Sequence, residues 1–156
     1  MGFFKKRTQL FAPMAGRTVP LAEVSDPAFS GEMLGKGIAI LPEDGRVVAP
    51  CDGTVETVFP TGHALVLVTP WGGEILIHVG LDTVTLAGRG FLPQVVPGER
   101  VRRGQLLLEA DLETIQAVGL DPVTPVLLCN WQKFNRFRLL LPGTVSNKDP
   151  IMELFL

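Results

Sequence analysis

Glycine and proline interrupt this chain so often that little room is left for long helices. The 156 residues include 17 glycines and 13 prolines, and the runs between them are short and rich in Val, Leu and Ile. β-branched residues favour strands, whereas glycine and proline mark turns. Apolar residues rarely recur at helical spacing. Many short strands joined by frequent turns predict a mostly β fold, either a sandwich or a barrel.

The sequence predicts nine short strands and one helix. The helix covers residues 112–118, because apolar residues recur there at helical spacing after Asp111, a good N-cap residue, and Gly119 can end it. The predicted strands cover residues 37–41, 47–49, 53–59, 65–69, 75–78, 94–96, 105–110, 123–128 and 145–156.

The length and charge of the chain limit its class. With 46% hydrophobic residues, 156 residues suit one domain that buries about 68–70% of its unfolded surface. The formal charge of -2 leaves no basic stripe for phosphates, so nucleic-acid binding is disfavoured. No apolar run approaches the roughly 18 residues that cross a bilayer, and the start lacks a secretory signal, so we expect a cytoplasmic protein. Cys51 and Cys129 are isolated, which argues against a disulfide framework.

The start of the chain differs from the rest. We divide the chain into an N-terminal tail, residues 1–11, and one domain, residues 12–156. On a helical wheel the apolar residues of the tail group on one side, with Lys5 and Lys6 outside that arc. Apolar contact with lipid and attraction to anionic headgroups would make this tail a weak anchor at the membrane surface. A disordered or locally packed terminus is the alternative.

The chain has two histidines, His63 and His78, on either side of a predicted β-hairpin. The runs 64–69 and 74–79 are aliphatic and of strand length, and the sequence P-W-G-G at residues 70–73 is a strong turn signal. A four-residue turn would place both rings on one face, with their Cβ atoms about 7–8 Å apart. A two-residue turn would slide them further apart. The sequence therefore permits contact between the rings without requiring it.

Two neighbouring imidazoles support metal binding, acid–base chemistry or phosphoryl transfer. A catalytic zinc ion usually takes three protein ligands, a number that His63, His78 and Asp82 could approach. In phosphoryl transfer, one neutral imidazole is the nucleophile and the other can donate a hydrogen bond to the phosphoryl oxygens. Gly80 suits this chemistry because it lets the backbone come close to a ligand.

Six segments carry a resemblance to a known family. They read V-A-P-C-D-G-T-V, T-G-H-A and I-H-V-G-L-D-T-V, followed by G-R-G-F, G-E-R-V-R-R-G-Q-L-L and P-V-T-P-V-L-L-C-N. Together they resemble the glucose-type enzyme IIA component of the bacterial phosphoenolpyruvate-dependent sugar phosphotransferase system, from about residue 12 to the C-terminus. The resemblance implies a compact antiparallel β-sandwich or flattened barrel with one or two short helices.

The resemblance also implies a role as a phosphoryl carrier. His78 would be phosphorylated at Nε2 by the phosphohistidine of the carrier protein HPr, and the phosphoryl group would pass to a cysteine of enzyme IIB. From there it would reach sugar that enters through the membrane-spanning enzyme IIC. His63 would stabilise the phosphoryl group, Thr61 would orient His63 by hydrogen bonding, and Asp82 would lie at the rim. No cofactor is required, although zinc could bridge His63 and His78 in a complex with a partner.

Two different proteins must dock in turn on such a site, so we expect a shallow apolar surface around the histidines. Lys36 and Arg89 replace residues that are frequently acidic in the family, which would suit partners with a less basic docking face or slow the encounter. Each apolar candidate could also be an ordinary core residue. The candidates for the rim or docking surface are Phe59, Leu65, Leu76, Val79, Gly80, Leu81, Asp82 and Lys36.

One alternative function stays open. A regulatory interaction domain of the same fold could signal sugar availability without a direct role in transport. Regulation and transport would use the same two histidines, so the sequence does not separate them. A metal hydrolase is disfavoured, since zinc peptidases of related β architecture require further metal-binding side chains.

Overall fold

The computed structural model describes residues 6–156, which form fourteen β-strands and two short α-helices. The helices are α1 (Pro27–Ser30) and α2 (Leu112–Ala117), and short 3-10 helices cover Leu21–Glu23, Thr83–Leu86 and Trp131–Lys133. The strands are β1 (Arg7–Phe11), β2 (Gly16–Pro20), β3 (Lys36–Pro42), β4 (Arg46–Val48), β5 (Gly53–Val58), β6 (Ala64–Val68), β7 (Glu74–His78), β8 (Phe91–Pro93), β9 (Arg100–Val101), β10 (Leu106–Ala110), β11 (Thr124–Leu128), β12 (Phe137–Leu139), β13 (Thr144–Val145) and β14 (Pro150–Phe155).

The strands form one large and two small antiparallel sheets. The large sheet has eight strands in the order β13-β2-β3-β11-β7-β6-β5-β9, and the small sheets have the orders β1-β14-β12 and β4-β10-β8. The predicted all-β class and the antiparallel sandwich are confirmed. Among the described residues, no helix is long and apolar enough to cross a membrane.

The centre of the large sheet is apolar on both faces. One face packs with the small sheets in the main core, where Leu65, Ile75 and Ile77 are fully buried. The other face carries a second core, in which Leu76 of β7 packs with Phe29 of α1. This second core covers the end of β7 and determines what surrounds the histidines.

Several predicted elements differ from the structure. The strand predicted at residues 94–96 is wrong, because Pro93 and Pro97 flank this stretch and neither can donate a ladder hydrogen bond. The single strand predicted from residue 145 to the end is two strands, β13 and β14, separated by a turn in which Ser146 N–H donates to the Asp149 carboxylate at 2.8 Å. The helix predicted at residues 112–118 is confirmed as α2, and the Asp111 carboxylate accepts from the Thr114 N–H.

The first strand ties the two ends of the chain together. β1 pairs with β14, whose Glu153 is buried and forms ion pairs with Arg7 at 3.3 Å and with Arg138 of β12 at 2.8 Å. The hydrogen bond from Arg138 lowers the pKa of Glu153, so the carboxylate stays charged. The second half of the predicted tail is therefore a packed strand. Residues 1–5 lie outside the described part of the chain, where membrane contact stays a prediction.

Candidate active site

The β6–β7 hairpin has a five-residue turn. The two strands pair from Val68 opposite Glu74 to Ala64 opposite His78, so residues 69–73 make the connection. The turns of four or two residues considered from the sequence are wrong, because Thr69 lies opposite Gly73 and not opposite Glu74. Its N–H donates to the Gly73 carbonyl at 2.9 Å, and its hydroxyl accepts from the Gly73 N–H at 2.8 Å.

The two histidine rings are nevertheless in contact. A five-residue turn places His63 opposite Val79, and regular alternation would then send the His63 ring to the face away from His78. Alternation ends at Ala64, because His63 belongs to the preceding turn and follows Gly62, whose φ is +73°. The ring centroids of His63 and His78 are 4.9 Å apart, with the ring planes at 81°.

The turn between β5 and β6 positions His63. The Gly62 N–H donates to the Phe59 carbonyl at 2.7 Å, and Pro60 occupies the second turn position, which favours proline. A Cβ at Gly62 would lie 3.0 Å from the ring of Pro93, so the turn packs closely on β8. The Thr61 hydroxyl in the same turn is hydrogen-bonded to His63 Nδ1 at 2.6 Å.

The backbone after β7 fixes the tautomer of His78. His78 Nδ1 lies 2.8 Å from the Gly80 carbonyl oxygen. A carbonyl only accepts hydrogen bonds, so Nδ1 carries the proton and the neutral ring keeps its lone pair on Nε2. Gly80 has φ +77°, and a Cβ there would lie 2.5 Å from the Thr83 methyl group, so glycine is required.

Both histidines are neutral near pH 7. Burial, followed by the neighbouring charge of His78, lowers the pKa of His63 to about 4. Burial also lowers the pKa of His78, although the Gly80 carbonyl and the charges of Asp26 and Asp82 act in the opposite direction. Neutral imidazoles in contact suit a nucleophile and a hydrogen-bond donor better than a pair of cations.

Aromatic rings form the walls of the site. Phe29 of α1 lies against His78 with ring centroids 5.0 Å apart, and Phe59 meets His63 edge-on at 5.4 Å. Phe91 of β8 lies 6.2 Å from His63. Phe29 was not predicted, although Asp26 followed by Pro27 is a helix-start signal that the structure uses: the Asp26 carboxylate accepts from the Ala28 N–H at 3.0 Å.

The rim of the site includes one exposed carboxylate and two exposed apolar side chains. Asp82 is exposed with a left-handed backbone, φ +58°, at the start of the 3-10 helix Thr83–Leu86. Val84 in that helix and Met33 after α1 are exposed apolar side chains, at 54% and 77%. Both belong to segments that carry residues of the site, and neither was predicted.

Most of the predicted docking residues are core residues. Leu76, Val79 and Leu81 are at most 6% exposed, as is Leu65, because the large sheet is covered on both faces. Their assignment to a docking surface is therefore wrong. Phe59 is half-buried, and its contact is with His63.

Lys36 and Arg89, the two basic residues at positions that are frequently acidic in the family, lie in different parts of the structure. Lys36 of β3 lies opposite Leu128 of β11, and Leu128 lies opposite Ile75 of β7. Ile75 is three residues before His78, which corresponds to about 10 Å along the strand. Its ammonium lies 4.1 Å from the Trp131 ring centroid and 3.9 Å from a Glu32 carboxylate oxygen, so its assignment to the rim is wrong.

Arg89 lies at the rim. A side chain at Gly88 would come within 3.8 Å of the Thr61 carbonyl oxygen, so the turn that carries Arg89 runs beside the turn that carries Thr61. Arg89 is exposed, and it forms no ion pair within residues 6–156.

The two histidines stand without a third metal ligand. Within residues 6–156, no group of three or more His, Cys, Asp or Glu side chains could hold a metal ion. A zinc ion at His63 and His78 would need further ligands from solvent or from a partner, because zinc takes at least three protein ligands in most catalytic sites.

Comparisons with known proteins agree on one family. Residues 8–134 match the family model described as phosphoenolpyruvate-dependent sugar phosphotransferase system, EIIA 1. A PTS system beta-glucoside-specific EIIBCA component of Dickeya chrysanthemi is 45% identical over 145 residues, 93% of this chain and 23% of the relative. A PTS system glucose-specific EIICBA component of Staphylococcus saprophyticus is 46% identical over 121 residues, 78% of this chain and 18% of the relative. The chain thus spans about a fifth of the length of these relatives.

A solved structure shares the whole fold. The glucose permease IIA from Mycoplasma capricolum superposes with a TM-score of 0.87 at 36% sequence identity. The match covers 98% of this chain and 99% of that structure.

The lowered pKa of His63 predicts a loss of stability in mild acid. Between pH 6.5 and about 4 the unfolded chain binds a proton at His63 that the folded chain does not, so folding stability falls as the pH falls. From His63 alone we expect the free energy of unfolding to be about 2 kcal/mol lower at pH 5 than at pH 7.5. Urea denaturation of wild type and His63→Gln across this range measures the difference. An equally steep pH dependence in the two proteins would contradict the prediction.

Proposed function

Because the chain belongs to the EIIA 1 family of the phosphoenolpyruvate-dependent sugar phosphotransferase system, we propose that His78 accepts a phosphoryl group and His63 stabilises it there. The chain is a phosphotransferase component. The observation that carries the assignment is the state of the His78 ring. Its Nδ1–H donates to the Gly80 carbonyl at 2.8 Å, so the free lone pair is on Nε2, next to the ring of His63.

The transfer step follows from that lone pair. His78 Nε2 attacks the phosphorus of a phosphohistidine on the donor protein, a new P–N bond forms, and the P–N bond to the donor breaks. The donor imidazole leaves with the electron pair of that bond. A protonated His78 would have no lone pair to offer, so the burial that lowers its pKa keeps it reactive at neutral pH.

His63 is suited to stabilise the transferred group. When its Nδ1 accepts a hydrogen bond from the Thr61 hydroxyl, the neutral ring carries its proton on Nε2 and can donate it to a phosphoryl oxygen. A neutral donor holds the phosphoryl group less tightly than an arginine would. Weak holding favours a carrier that must also give the group away.

We assign the partners from the system to which the family belongs. The names of the two curated relatives join EIIA with EIIB and EIIC in one component. We therefore propose HPr as the donor, and enzyme IIB acting with the membrane-spanning enzyme IIC as the acceptor. These exchanges would take place in the cytoplasm, with the domain of residues 12–156 and its paired strand β1 as the carrier and residues 1–5 as a membrane contact. A regulatory domain without a transport role is not favoured, because the two curated relatives are EIIBCA and EIICBA components of the PTS system.

Phosphorylation by the upstream proteins tests the histidine assignments. After incubation with phosphoenolpyruvate, enzyme I and HPr, we expect intact-mass measurement to show one acid-labile phosphoryl group on wild type and none on His78→Ala. His63→Gln should still be phosphorylated but should transfer onward about 100-fold more slowly, because the imidazole N–H that the Thr61 hydroxyl orients toward the transferred group is lost. A phosphoryl group retained on His78→Ala would contradict the assignment.

Paired substitutions at Thr61 test its positioning role. Thr61→Val removes the hydroxyl that is bonded to His63 Nδ1, whereas Thr61→Ser keeps it. We expect Thr61→Val to slow onward transfer about tenfold, the effect of one lost hydrogen bond, with Thr61→Ser close to wild type. Rapid-quench kinetics, together with the pH dependence of the rate, separates this role from simple packing. Equal losses in both variants would show that the hydroxyl does not orient the ring.

Charge reversal tests which basic residue affects docking. Arg89 is exposed at the rim, whereas Lys36 lies toward the far end of the sheet, with its ammonium over the Trp131 ring. With an HPr that has a basic docking face, we expect Arg89→Glu to raise the transfer rate about tenfold at low salt. Lys36→Asp, the matched control, should leave the rate unchanged. High salt should remove the difference, and an absence of gain at low salt would contradict the prediction.

A further inference from the structure

A basic cleft lies at the end of the molecule opposite to the two histidines. It opens between the ends of β5 and β6 and the edge strand β9, and its volume is about 730 Å³. The five residues of β6 separate it from His63, which corresponds to about 17 Å of strand. The cleft is therefore distinct from the histidine site.

Four cationic side chains line this cleft and a smaller one beside it. Arg100 and Arg102 line the first, Lys6 and Arg103 line the second, of about 300 Å³, and both clefts include Asp52. None of the four cations forms an ion pair with a carboxylate among residues 6–156. Four positive charges thus face one carboxylate on a chain whose formal net charge is -2.

The carboxylates near the clefts already have partners. Asp52 accepts from the backbone N–H of Arg103 at 2.9 Å, and Glu99 accepts from the Gln105 side chain at 3.3 Å. The Arg103 guanidinium lies 4.1 Å from the centroid of the Phe11 ring. A stacked guanidinium is held in place, while its N–H groups at the edge stay available.

A buried hydroxyl adds a second, independent observation. Thr69 lines the larger cleft and is only 4% exposed. Its oxygen accepts from the Gly73 N–H, and no described residue accepts its proton. That bond does not use the hydroxyl proton, so the Thr69 hydroxyl can also donate to an oxygen atom bound in the cleft.

We propose that this cleft binds a phosphate group, carried either by a small molecule or by a lipid headgroup. Planar guanidinium groups bind phosphate oxygens through paired N–H donors, and arginine is favoured wherever phosphate is recognised. Thr54 lines the same cleft and adds a second hydroxyl donor. A carboxylate ligand has fewer oxygens and less charge, so it would leave more of these donors unused.

The experiment compares three proteins with two probes. The proteins are wild type, the double variant Arg100→Gln/Arg102→Gln, and the control Arg17→Gln, which removes an exposed arginine of β2 outside the cleft. Glycerol 3-phosphate is titrated at constant ionic strength while nuclear magnetic resonance follows the backbone amides of residues 53, 54 and 69. Co-sedimentation with phosphatidylcholine vesicles that contain phosphatidylglycerol measures lipid binding.

We expect saturable binding to at least one probe, weakened about tenfold or more in the double variant and unchanged in Arg17→Gln. Binding of glycerol 3-phosphate would identify a soluble phosphate ester as the ligand, and binding to vesicles alone would identify a lipid headgroup. Absence of binding to both probes, or equal binding by all three proteins, would overturn the proposal. Phosphorylation of His78 is measured separately, so neither result depends on the other.

Discussion

The position and the chemistry of the histidines depend on apolar burial on both faces of the large sheet. β11 is buried along its whole length, and β7 lies beside it with apolar side chains on both faces. Both faces of such strands must pack against other elements, and the segment around α1 packs against the face that the small sheets leave open. That cover brings Phe29 against His78 and shields the half-buried ring from part of the surrounding water. A hairpin with one face in solvent would leave the imidazole hydrated, with a pKa near 6.5 and partly protonated at neutral pH.

The β fold and the two candidate histidines could be predicted from the sequence, but the hairpin register and the turns that bring the two rings together could not. Glycine and proline placement predicted a β protein, and the aliphatic runs on either side of P-W-G-G predicted the β6–β7 hairpin. The length of its turn depends on a local hydrogen-bonded pair, Thr69 with Gly73, which strand propensity does not encode. The register for which the sequence permitted contact between the rings is therefore not the register of the structure, although the rings are in contact.

Two further errors have a common origin. Leu76, Val79 and Leu81 were candidates for a docking surface because they neighbour the histidines in sequence, yet a sheet covered on both faces buries every one of them. Lys36 was a candidate because it replaces a residue that is frequently acidic in the family, but its position along β3 is set by pairing with β11. Residues that are close in sequence need not be close in space when strands that are far apart in sequence pair with one another. Phe29 shows the converse, since it reaches His78 from a helix that lies far away along the chain.

The meeting of the chain ends has a consequence for how such a module is joined to others. The Leu156 N–H donates to the Lys6 carbonyl, and Lys6 lines the same cleft as Trp71, at the tip of the hairpin whose other end carries His78. A tether attached at either end of the described chain would therefore start from one place, on the side away from the His78 ring. The effective concentration of a tethered acceptor at the ring would then depend mainly on the length of the tether. It would depend little on whether the tether is attached at the first or the last described residue. Rearranging the order of the joined modules would leave the reach of the carrier almost unchanged.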